Sequence, residues 1–264
     1  RNVTGVQTCA LPISTNAGWS TVGLPRAAAR AKVDVIHAPA YTGPVWAPAP
    51  VVLTVHDVSY ALHPEWYPNR LGGGRQFFYR QSAQRAARIL TVSAFSASEI
   101  ERAYGIPRSR ITVAPLGVDD GFAPVAAGMP NELPAGIESP YLLHVGDLHE
   151  RRNLGLAIEA LAGARRYFGD AGALSLVLAG VDRGVASSLC DLAREIGIPD
   201  AVVPLGAVSE ERLRALYRGA LALVYPSLYE GFGLPLIEAM ASGTPVIASN
   251  RASLPEVLGR AGIQ

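Results

Sequence analysis

The sequence predicts an α/β protein made of two successive domains, each with a parallel sheet covered by helices. Three observations predict it. Short apolar strands alternate with helical segments along most of the chain, as in parallel strands joined by crossover helices. Several strand candidates are β-branched and nearly continuous, as strands buried on both faces are. The alternation is interrupted once, by a Gly-, Pro- and Ala-rich stretch at 119–140 that lacks either hydrophobic period and reads as a linker.

In the first half, residues 33–37, 51–55, 89–93 and 111–114 read as strands, and 74–88 as a helix. Ser96 and Glu99 have capping-box spacing, so Ser96 is expected to cap a helix that Gly105 and Pro107 stop. In the second half, strands are expected at 141–145, 174–179, 202–205, 220–225 and 245–248. Leu154, Ala157, Ile158 and Leu161 recur at helical spacing behind Asn153 as N-cap. Further helices are expected at 187–196, after the cap Ser209, and at 234–241, where Gly243 ends the pattern.

The resulting domains are 15–122 and 141–264, both Rossmann-like, with the linker at 123–140 between them. Residues 1–14 stand apart. Val3 to Ile13 looks like a sequencing adapter translated in frame, so this segment is left out of fold reasoning and Asn2 is not read as a glycosylation site. The chain is then expected to be an internal part of a longer protein, with both domains truncated.

Composition narrows the classes. Of 264 residues, 49% are hydrophobic and 17% charged, which supports a sizeable core and excludes a disordered or coiled-coil chain. A net charge of +1 gives no reason to propose nucleic acid as partner. Cys9 and Cys190 lack metal-like spacing and suit a reduced cytosolic protein. No apolar run approaches the ~18 residues that a membrane span requires. Lys32 is the single lysine, and the other 22 of 23 basic residues are arginine.

Ligands of such sheets bind beyond the carboxyl ends of the strands. That rule singles out His56-Asp57, Ser93, Gly146-Asp147 and the stretch from Tyr225 to Gly233. In Glu230-Gly231-Phe232-Gly233-Leu234-Pro235-Leu236-Ile237-Glu238, two glycines precede a proline at a helix start. The free N–H groups of such a helix end suit a phosphate. Spacing alone leaves two readings open, a ligand loop or a turn with two solvated acids.

This segment, with Ala239 to Ile247 behind it, resembles glycosyltransferase family 4, the Glu-x7-Glu retaining enzymes of GT-B architecture. The resemblance implies two Rossmann-like domains facing each other across a cleft. It implies that Glu230 contacts donor-sugar hydroxyls and Glu238 the nucleotide ribose, with the backbone of Gly231, Phe232, Gly233 and Leu234 along the sugar and diphosphate. Val145 to Leu154 is similar to the family's Gly-x-Leu-x-x-Arg-Lys-Asn-Leu. Gly146 then lies at the donor, Arg151 matches the Arg, and Arg152 replaces the phosphate-binding Lys. Arginine keeps the charge that a departing diphosphate requires but changes its geometry. Asp147 stands where many relatives carry Arg.

Leu53 to Tyr60 resembles the mannosyltransferase-like members, which implies that His56 contacts the donor sugar and that Asp57 orients it or approaches the acceptor. Thr91 to Ser96 matches the family's Val-Ser-x-x-Ser, placing Ser93 at donor or acceptor, and Gly117-Val118-Asp119 matches a hinge feature.

The expected function is therefore metal-independent transfer of a hexose, with retention, to a hydroxyl of a glycan or polyisoprenoid-linked acceptor. GDP-mannose is the favoured donor and a UDP-hexose the rival; no other cofactor and no Asp-x-Asp metal motif is expected. A GT-B-type epimerase and a non-catalytic nucleotide-sugar-binding remnant are the alternatives. A Rossmann oxidoreductase would need Gly-x-Gly-x-x-Gly after a strand, which the chain lacks. The expected location is cytoplasmic, with the inner face of the membrane as a minority reading. Arg75, Arg80, Arg85 and Arg88 do not share one helix face, so they give peripheral membrane contact little support. The stretch alone is expected to be inactive or nearly so.

Overall fold

The computed structural model describes residues 18–67, 73–125, 133, 136–168 and 174–264. The adapter-like segment and most of the 126–135 part of the linker lie outside them. The chain divides into two compact units, the first comprising the residues up to Thr91 with Ala97–Ala114, the second Val92–Ser96 with Pro115–Gln264.

The first unit carries strands β1 (Ile36–Ala38), β2 (Val51–Thr54), β3 (Arg88–Thr91) and β4 (Ile111–Val113), all parallel and in that order. Its helices are α1 (Leu24–Ala31), the short α2 (Ser59–Leu62), α3 (Gly73–Arg85) and most of α4 (Ala94–Tyr104). Leu53, Ile89 and Ile100 are fully buried in its core.

Three local expectations shift here. β1 starts three residues late, because Lys32 closes α1 in the left-handed region (φ 50°) and Val33 still donates to Ala28 O. α3 ends at Arg85, because Ala87 already donates to Val51 O and leads into β3. Arg88 is therefore a strand residue. The cap of α4 is Ser93 rather than Ser96: the Ser93 hydroxyl oxygen accepts the Ser96 N–H at 2.9 Å. The Ser-x-x-Ser step places the hydroxyl three residues before the free N–H, which is the geometry a cap requires.

The second unit carries β5 (Tyr141–Val145), β6 (Ser175–Ala179), β7 (Val202–Gly206), β8 (Ala222–Tyr225) and β9 (Val246–Ala248). They form one parallel sheet in the order β7-β6-β5-β8-β9. α5 (Leu154–Phe168), α6 (Ala186–Glu195), α7 (Glu210–Gly219), α8 (Leu234–Ala241) and α9 (Leu254–Leu258) accompany it. Leu143, Leu176 and Leu223, on three adjacent strands, are fully buried. Ser209 caps α7 as expected, accepting the Arg212 N–H at 3.3 Å. Asn153 does not act as a simple cap; at φ 53° it closes the 3-10 turn Glu150–Arg152 and turns the chain into α5.

This order places the first strand of the unit in the middle, with the crossovers leaving it in opposite directions. The crevice beyond the carboxyl ends of β5 and β8 is the topological switch point, where such sheets bind ligands. Gly180 keeps that end of the sheet tight. A Cβ there would lie 1.9 Å from Gly146 O, so Gly180→Ala must push β6 away from the residue after β5. We expect a loss of ~1–3 kcal/mol, as for other overpacked sites, read as a lower urea midpoint.

His144 of β5 is fully buried, stacks on Tyr225 (centroids 5.4 Å, 21°), and has Nδ1 3.2 Å from Val224 O. Burial, and then the nearby Arg152 charge, push its pKa down to about 3. The unfolded chain takes up a proton here from about pH 6.5 downward, while the folded chain stays neutral until far lower pH, so folding stability falls as pH drops through this window. Between about pH 7 and about pH 5, urea unfolding should show wild type losing about 2 kcal/mol more than His144→Asn. Parallel pH profiles would contradict this.

Candidate functional site

The switch point brings together two segments distant in sequence. After β5, Gly146 takes φ 129° and leads into the 3-10 turn that carries Arg151 and Arg152. After β8 come Ser227 and Glu230. The Arg152 guanidinium, only 8% exposed, donates from Nη1 to Glu230 Oε1, to the Tyr225 hydroxyl and, at 3.5 Å, to Ser227 Oγ. It also lies over the Tyr225 ring, 5.2 Å from its centroid. Gly146 makes room for it, since a Cβ there would stand 3.0 Å from Arg152 Nη2. Arg152, expected at the diphosphate, and Glu230, expected at the donor sugar, are thus ion-pair partners. The neighbouring Arg151 is half-buried, and its carbonyl accepts the Leu228 N–H at 2.8 Å, tying the two segments together.

The Glu230–Gly233 loop is held through its carbonyls. Ser93 and Ser96 donate to Gly231 O at 2.6 and 3.0 Å. The fully buried Ser253 hydroxyl lies 2.9 Å from Glu230 O and 2.8 Å from Phe232 O. Glu256 accepts the Ala94 and Phe95 N–H groups at 2.8 and 3.2 Å, which secures the Ser93 turn to the same unit. Gly233 then adopts φ 109° at the N-cap of α8, where a Cβ would stand 2.9 Å from Leu254. Among the described residues, the N–H groups of Gly231, Phe232, Gly233 and Leu234 have no backbone acceptor. A loop with bound carbonyls and available N–H groups is suited to an anion.

Glu238 lies a turn inside α8 and accepts the Tyr217 hydroxyl at 2.7 Å. Its pKa is raised, first by burial and then by Glu210, against the opposing effect of the Tyr217 bond. Asp147 pairs with Arg183 at 2.7 Å, so its charge is balanced within the protein. Among the described residues, no three His, Cys, Asp or Glu side chains converge as metal ligands, and no helix is long and apolar enough to cross a membrane.

In the first unit, His56 follows β2 with Nε2 3.2 Å from Pro39 O and its ring edge-on to Tyr41. Asp57 folds the turn into α2. Its Oδ1 accepts the Ser59 N–H at 2.9 Å and the Ser59 hydroxyl at 2.7 Å, and its Oδ2 lies 3.4 Å from the Tyr41 hydroxyl. Tyr41 itself holds a left-handed backbone (φ 51°), a conformation few non-glycine residues adopt.

Sequence reasoning missed Ser253, Glu256 and Tyr217, each of which acts through a partner distant in sequence. Tyr225 and Ser227 lie in the stretch that the switch-point rule singles out, but nothing local in the sequence points to their contact with Arg152.

Both halves of the chain resemble known proteins. The profile "Glycosyl transferases group 1" matches 129–262, and "Glycosyltransferase Family 4" matches 1–122. The chain is 35% identical over 224 residues to O-antigen chain mannosyltransferase B of Escherichia coli, covering 80% of this chain and 56% of that protein. It is 36% identical over 225 residues to MMP alpha-(1->4)-mannosyltransferase of Mycolicibacterium hassiacum, covering 81% and 51%. It therefore spans about half the length of these curated relatives. Anabaena Alr3699/HepE, solved in complex with UDP-glucose, superimposes with a TM-score of 0.69 at 20% identity over 93% of this chain and 67% of that one. With two parallel sheets, the second in Rossmann order, and profiles matching both halves, this chain belongs to the glycosyl transferases group 1, the family 4 enzymes of GT-B fold.

Proposed function

We propose that the protein transfers a hexose, with mannose favoured, from a nucleotide-sugar donor to a hydroxyl acceptor with retention and without a metal ion. The observation that carries this reading is the buried Arg152 at the switch point, beside a loop whose carbonyls are bound and whose N–H groups are available. Arg152 and Arg151 neutralise the departing diphosphate, and the α8 end receives its oxygens. Glu230 holds sugar hydroxyls, and Glu238, tied to Tyr217, holds the ribose. In the reaction the acceptor oxygen bonds to the anomeric carbon on the face that the phosphate leaves. The C–O bond to the diphosphate breaks, and the departing phosphate oxygen takes the acceptor's proton. No carboxylate is assigned as nucleophile.

GDP-mannose is the favoured donor; two mannosyltransferases among the relatives support the mannose, and UDP-glucose in Alr3699/HepE keeps a UDP-hexose as the rival. His56 and Asp57 are assigned to sugar and acceptor, with Asp57 also shaping its own turn, and Ser93 to positioning the loop. We assign the acceptor to a glycan, or to a polyisoprenoid-linked one met at the inner face of the membrane.

Calorimetric titration of GDP-mannose and UDP-glucose into the protein tests the donor site. Arg152→Ala should weaken the preferred donor about 10- to 100-fold, the loss of a charged hydrogen-bond set, and turnover should fall with it. Unchanged affinity and turnover would remove the leaving-group assignment.

A further inference from the structure

We propose that Glu230 is a built-in competitor of the leaving group. It holds Arg152 while the site is empty, yields it to the diphosphate of the donor, and reclaims it after transfer so that the nucleoside diphosphate departs. The inference rests on the donor-site reading above and goes beyond it, because it gives Glu230 a second role toward phosphate besides its role toward sugar.

The geometry carries it. Arg152 and Glu230 are 8% and 6% exposed, so neither charge is neutralised by water, and each depends on the other. The guanidinium is only partly used. Its acceptors Tyr225, Ser227 and Glu230 all gather on Nη1. Nε is buried without a partner among the described residues, and none of the acceptors on Nη1 reaches Nη2. A guanidinium offers five N–H donors in a planar fork. A phosphate with two oxygens in that plane satisfies Nε and Nη2 together, which the Glu230 carboxylate does not do here. The diphosphate thus brings both charge and unused hydrogen bonds, whereas one guanidinium charge cannot fully neutralise it and Glu230 at once.

The two readings differ in what they expect for the free product. If Glu230 touches only sugar, its removal leaves nucleoside-diphosphate affinity unchanged. As a competitor, its removal tightens that affinity. Calorimetry with GDP and UDP on wild type and Glu230→Gln should show the diphosphate binding about tenfold tighter in the variant, the scale of one charged hydrogen bond. Affinity for the corresponding nucleotide-sugar should rise less, since a sugar contact is lost. Equal or weaker diphosphate binding by a folded Glu230→Gln, judged by circular dichroism, overturns the proposal.

Should that variant not fold, the wild type decides. The Arg152 Nε–H resonance, assigned by its absence in Arg152→Lys, should shift on saturation with GDP or UDP. A resonance that stays in place while the nucleotide binds elsewhere overturns the proposal. Wild type that binds neither nucleotide overturns the donor-site reading itself.

Discussion

The second unit is organised around one buried ion pair. Arg152 and Glu230 are 78 residues apart and meet because β5 and β8 are neighbours in the sheet. Removing two charges from water is costly, and their attraction offsets this only when the remaining donors and acceptors are supplied. The surroundings supply part of that set. The Tyr225 hydroxyl and Ser227 accept from the guanidinium, and the Tyr225 ring faces it. His144 stays neutral behind Tyr225 and adds no second positive charge. Gly146 and Gly180 are small because the segments pass within contact distance at this end of the sheet. Arg152 Nε is left without a partner among the described residues.

The Glu230 loop follows from a complementary constraint. A loop that offers N–H groups to a ligand must place its carbonyls elsewhere, since buried carbonyls require donors. Three serine hydroxyls meet that need at Glu230, Gly231 and Phe232. Two belong to the Ser93–Ser96 turn and one to the residue before α9, so the loop shape depends on parts of the chain far from it in sequence. Ser93 serves twice, capping α4 through its oxygen and binding the loop through its proton. The α8 helix then extends the site by carrying Glu238 to Tyr217.

The first unit shows a different balance between structure and chemistry. Asp57 reads from sequence as a site residue, and its carboxylate also folds the turn into α2. His56 sits beside Tyr41, whose left-handed backbone is held within a group of tyrosines that includes Tyr60 and Tyr79. The end of β2 is thus packed by its own side chains, through Asp57 to Ser59 and Tyr41 and through His56 against Tyr41.

Much of the architecture was legible in the sequence, because strand and helix periods are local properties. The runs at 141–145 and 234–241 correspond to β5 and α8 to the residue. The less accurate boundaries, at β1, at the end of α3 and at the cap of α4, lie where a single backbone conformation, backbone bond or hydroxyl decides the end of an element. The candidate site was legible as segments, since glycines, arginines and acids at strand ends are a pattern within one stretch of chain. Which of them touch was not legible. That Arg152 takes Glu230, that Ser253 holds the loop and that Tyr217 binds Glu238 depends on strand order and on the helices that pack beside it. Sequence by itself determined the elements and their chemical endowment. Tertiary structure alone decided the partners, because contacts across a parallel sheet are set by which strands become neighbours, and no local period encodes that choice.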